Sequence, residues 1–88
     1  PAAPAKRPSR EATLALRADA RKCEERVEKL TGMRDRLSEK IAAPGFFKRE
    51  GAERAAAHQR KLAEVEAALA QAEARWMEAM ERLEGVDA

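Results

Sequence analysis

Apolar residues recur three and four apart along two stretches of this chain, on either side of a breaker at Ala43-Pro44-Gly45-Phe46-Phe47. In the first stretch the row is Ala20, Cys23, Val27, Leu30, Arg34, Leu37 and Ile41. In the second it is Ala55, His58, Leu62, Val65, Leu69, Ala72, Trp76, Ala79 and Leu83. This alternation is the a/d seam of a left-handed coiled coil. Two such helices joined by a short turn bury their seams against each other. The pattern therefore predicts an all-α fold, a two-helix antiparallel coiled-coil hairpin, with helices over 9–42 and 51–84 and a turn over 43–50.

The ends of the helices carry their own signals. Ser9 is placed to cap the first helix, and Glu11 lies where a carboxylate complements the helix dipole. Ala43 precedes a proline, which biases it away from helical geometry. Gly85 is the expected C-terminal cap of the second helix, with 86–88 as a short tail. Folding near residue 48 pairs positions whose numbers sum to about 96. Leu30 then meets Val65, Val27 meets Leu69, Leu37 lies near His58, and Trp76 falls opposite Ala20 and Cys23. Gly32, inside the first helix, costs about 1 kcal/mol relative to Ala. Met33, Met77 and Met80 lie just off the seams and are expected to widen the core, the alternative being an exposed stripe for self-association.

Composition agrees with a long, thin molecule. Charged residues make up 39% of the 88 and aromatics 3%, a mix typical of extended helices. No apolar run is long enough to span a bilayer, so no membrane partner is expected. The single Cys23 cannot form an internal disulfide and suits a reducing, cytoplasmic setting. The start at Pro1 suggests a piece of a larger protein. Residues 1–8 hold three prolines and two bases without apolar pattern, and read as a flexible basic linker or tail.

The net charge of +2 hides an uneven distribution. Residues 62–88 carry seven acids and two bases, whereas 34–61 carry eight bases and four acids. Positive charge thus gathers around the hairpin tip, in Lys48, Arg49, Arg54, Arg60 and Lys61, with Arg36 and Lys40 on the first helix. Lys6, Arg7 and Arg10 form a second basic element in the tail. Beside Phe46 and Phe47, such a tip suits phosphate neutralisation and stacking. The structural alternative is that one phenylalanine folds back over Ile41 and Ala55 to close the seam, and that the charges only solvate long helices.

Several chemistries lack their residues. One His and one Cys do not make an ordinary zinc site, and no glycine loop cradles a nucleotide. Cys23 and His58 sit on the seam, where a small buried residue and a register-setting polar residue are the simpler roles. Arg34 resembles the polar seam residue that fixes alignment, or one whose guanidinium snorkels outward. No catalytic residue, cofactor or metal is expected, so the fragment reads as a non-enzyme.

The segments Cys23–Ile41, Ala43–Glu53 and Leu69–Glu84 resemble the C-terminal domain of Uup-type ABC-F ATPases. Pro44, Phe47 and Trp76 stand where that family has its turn proline, turn aromatic and late tryptophan. Ala43 replaces the usual Asp and Phe47 the usual Tyr. The resemblance implies a hairpin following a second ATPase module, associated with nucleic acid (DNA, ribosomal RNA or tRNA) and with ribosomes as a further partner. A weaker resemblance is to the tRNA-binding arm of valyl-tRNA synthetases, through Gly45-Phe46. A different class of reading is a protein-binding spacer arm. The isolated domain is expected to be monomeric.

Overall fold

The computed structural model describes residues 9–87. Helix α1 spans Arg10–Ala42, α2 spans Phe46–Glu50, and α3 spans Ala52–Asp87. The two long helices pack against each other as a hairpin, and the described residues contain no strand. At 1.5 Å per residue, α3 alone is about 54 Å long.

Ser9 caps α1: its Oγ accepts from the Ala12 N–H at 3.1 Å, and its extended backbone opens the helix. Arg10 is the first helical residue, so it belongs to α1 and not to the tail in which its sequence context puts it. Lys6, Arg7 and the rest of the expected linker at 1–8 lie outside the described residues.

Every expected seam residue is shielded from solvent, wholly or in part. The same spacing continues beyond the expected seam, to half-buried Leu16 and Thr13 in α1 and half-buried Val86 in α3. Val86 also explains the second boundary. Gly85 does not cap α3; the helix continues through it to Asp87, because another seam position follows it. A glycine costs a helix only about 1 kcal/mol, which one more half-buried valine offsets.

The main core cluster joins Leu30 of α1 to Val65, Leu69 and Ala72 of α3, with Val27, Met33, Leu37 and Ala68 packed around it. Residues 65, 68, 69 and 72 have the spacing of the diamond into which one coiled-coil knob fits. Leu30 thus meets Val65, as expected, and Leu69 and Ala72 as well. The hole that receives Leu30 is centred about three residues further along α3 than Val65. Buried Ala20 and Ala79 fall into line in the same way. Trp76 is then level with Cys23, both half-buried. Met33 packs against the core as expected, but Met77 and Met80 remain exposed.

Burial of a Leu or Val side chain contributes about 1.5–3 kcal/mol, and an exposed ion pair about 0–1. The seam therefore holds the hairpin together, and the charges are available for other work.

Candidate nucleic-acid interface

The tip is built by two glycines and one ring. Ala43 C=O accepts from the Phe46 N–H at 3.1 Å, with Gly45 at φ 78° and ψ 6°. Proline followed by such a glycine is the arrangement of a type II turn. It launches α2, which ends at Gly51 with φ 84° and ψ 160°, a region open to little but glycine. Between them Phe46 is 1% exposed, with its ring 5.5 Å from the ring of seam residue His58. Phe46 is thus the phenylalanine that folds back over the seam. Phe47, 5.2 Å from it edge-on, is 55% exposed and faces solvent.

The expected binding residues fall into separate groups. Lys48 and Arg49 lie exposed on α2, with no carboxylate within 4 Å among the described residues. Lys40 and Arg54 instead converge on Glu50, at 4.0 and 3.8 Å, where His58 Nε2 also approaches to 3.7 Å. Glu50 links all three helices in this way. These separations are too long for hydrogen bonds, so Glu50 biases the two cations without immobilising them. Lys61 approaches Glu64 at 3.8 Å. The Arg34 guanidinium reaches the surface, where it donates to exposed Asp35 through Nε at 3.1 Å and Nη2 at 3.0 Å.

Arg36, Lys40 and Lys61 come together. With Met33 and Leu37 they line an open groove of about 290 Å³, largely apolar on its floor and basic at its rim. Gly32 helps to shape it: a Cβ there would lie 3.3 Å from Arg36 Nη1, so the guanidinium rests where a side chain would otherwise project. Arg60 is exposed but does not line the groove, and Arg10 lies at the far end of α1 from the tip. Chemically, the groove suits an anion with a flat or apolar portion. The described residues hold no His, Cys, Asp and Glu cluster suited to a metal ion.

Among the exposed cations that escape a reading based on local charge density are Arg26, Arg75 and Arg82. Arg75 and Arg82 sit in the stretch that is acidic by count. The signal that finds them is the heptad position, since each lies one residue before a seam residue, as do Lys40, Arg54 and Lys61.

A family model for the ABC transporter C-terminal domain matches residues 13–81. The chain belongs to that family. The matched span takes in the tip and most of both long helices. No curated protein and no solved structure matches the chain. The match favours the first of the two resemblances carried by the sequence over the synthetase arm. No helix among the described residues of this ABC transporter C-terminal domain is long and apolar enough to cross a membrane.

Proposed function

We propose that this domain is a nucleic-acid-binding appendage of an ABC-F type ATPase, contacting phosphates through its basic tip with little sequence preference. The observation that carries the reading is the grouping at the tip of Lys48 and Arg49, unpaired among the described residues, with the groove of Arg36, Lys40 and Lys61. Solvated cations on a rigid support neutralise phosphates and release counterions, which supplies affinity without reading bases. Phe47 adds an exposed ring beside the two α2 cations. The ATPase chemistry belongs to other parts of the parent protein, and this arm contributes binding alone.

The test is fluorescence anisotropy of labelled DNA and RNA across a salt series. Affinity should fall linearly on a log–log plot, with a slope of about −0.7 to −0.9 per phosphate contacted. Lys48→Glu with Arg49→Glu should weaken binding while helical circular dichroism is unchanged. Equal binding by that variant would remove the tip from the interface.

A second reading, a protein-facing spacer arm, draws on the acidic side of the hairpin, where Glu24, Glu66 and Glu73 are exposed. Binding to ribosomal proteins without affinity for nucleic acid would favour it.

A further inference from the structure

The seam register assigns each surface residue to a flank. With Thr13, Ala20, Val27, Arg34 and Ile41 at position a, position g of α1 is occupied by Arg26, Met33 and Lys40, with Asp19 nearer the open end. With Ala55, Leu62, Leu69, Trp76 and Leu83 at a, position g of α3 is occupied by Arg54, Lys61, Ala68, Arg75 and Arg82. In an antiparallel pair the two g rows face each other along one flank and the two e rows along the other. The structure bears this out at two levels. Met33, Lys40 and Lys61 line one groove, and Met33 and Ala68 pack against one cluster.

The g flank therefore carries Arg26, Lys40, Arg54, Lys61, Arg75 and Arg82 against the single acid Asp19. One step further out, α1 adds Lys22, Lys29 and Arg36, while α3 adds Glu64 and Glu78. The e flank differs, with Glu24, Glu66 and Glu73 along its length against Arg10 and Arg17 at its open end. All of these side chains are exposed.

The pairing across the g flank is informative. Lys40 is level with Lys61, and Arg26 with Arg75. Like charges facing each other across a helix pair oppose folding. A sequence serving only the hairpin would alternate the signs. Among the described residues, Arg26 and Arg75 have no carboxylate within 4 Å to relieve the repulsion, and Arg82 is level with the one acid of the row, Asp19. Such an arrangement is relieved by an anionic partner lying along the flank.

We propose that the g flank binds duplex nucleic acid laid along the hairpin. This rests on the nucleic-acid reading above and adds the surface, the form of the ligand and its length. From Arg54 to Arg82 the α3 cations form a straight ladder about 42 Å long at 1.5 Å per residue. A duplex presents phosphates at a fixed spacing of about 3.4 Å per strand along a straight axis, so the ladder covers about 12 base pairs. A flexible single strand gains less, because it must be straightened to meet the same charges.

The test compares the domain with an Arg75→Glu/Arg82→Gln variant, far from the tip, on DNA and RNA duplexes of about 16 base pairs and on a single strand of equal length. Duplex affinity should fall by roughly 10-fold or more at low salt, with the salt slope shallower by about 2. Because Arg75→Glu turns a like-charged pair into an opposite one, the melting temperature should hold or rise as binding falls. A binding loss with loss of helix would be repeated with Arg75→Gln alone, where a fold-intact protein that binds duplex undiminished overturns the proposal. Undiminished binding by the first variant also overturns it while leaving the tip reading intact, as does preference for single strand over duplex. If the unaltered domain binds neither duplex nor single strand, the function proposed above fails as well.

Discussion

Replacing Phe46 by Ala removes the ring that closes the tip. Phe46 is 1% exposed and contacts both Phe47 and His58 edge-on, so its truncation forfeits a buried side chain and leaves a void between α2 and α3. Phe→Ala changes in cores cost about 3–5 kcal/mol. The lower end applies here, because a tip at the end of a two-helix hairpin collapses more readily than the centre of a globule. For a domain of this size 1 kcal/mol corresponds to about 4–8 °C, so about 3 kcal/mol lowers the melting temperature by about 12–24 °C. Phe47→Ala is the matched control. It loses the edge contact, about 0.5–1.5 kcal/mol, but its ring is already 55% exposed, so the drop should be about 2–12 °C. Thermal melts followed by helical circular dichroism measure both. Similar melting of the two variants, or a shift under about 5 °C for Phe46→Ala, would refute the role given to that ring.

Two backbone predictions accompany it. Gly51→Ala should destabilise the domain by about 1–3 kcal/mol in urea titrations, although a Cβ there meets nothing within 4 Å, because φ 84° with ψ 160° is strained for an L side chain. Gly32→Ala should act in the opposite direction, raising stability by up to about 1 kcal/mol, since the nearest obstacle is the far end of the flexible Arg36 side chain.

The hairpin was legible because its seam repeats over many turns and each error in one turn is outvoted by the others. Ser9 and Pro44-Gly45 were legible as local chemistry. That Leu30 also meets Leu69 and Ala72 was not, because it depends on where the chain reverses, and the five-residue α2 between two glycines has too few positions to show a period. Gly85 misled for a related reason: its local preference for a cap yields to the seam position at Val86. The site divided along the same line. Lys48 and Arg49 stand out by simple counting beside the breaker. Arg75 and Arg82 are masked in a simple count by the glutamates around them, and only the helical position separates the two sets. Lys40 and Arg54 look equivalent to their neighbours in sequence, and the convergence on Glu50 from three helices is a property of the folded tip.

Glu50 on α2 meets Lys40 of α1 and both Arg54 and His58 of α3, and Phe46 is wedged against the same histidine. The packed seam and the buried Phe46 ring hold the end of the hairpin to its arms, and the molecule behaves mechanically as a lever. With an arm of about 54 Å, a tilt of about 10° at the open end carries the tip through about 9 Å. That sweep spans nearly three base-pair steps of a duplex, so a small rotation where the arms begin becomes a displacement of molecular size at Phe47, Lys48 and Arg49.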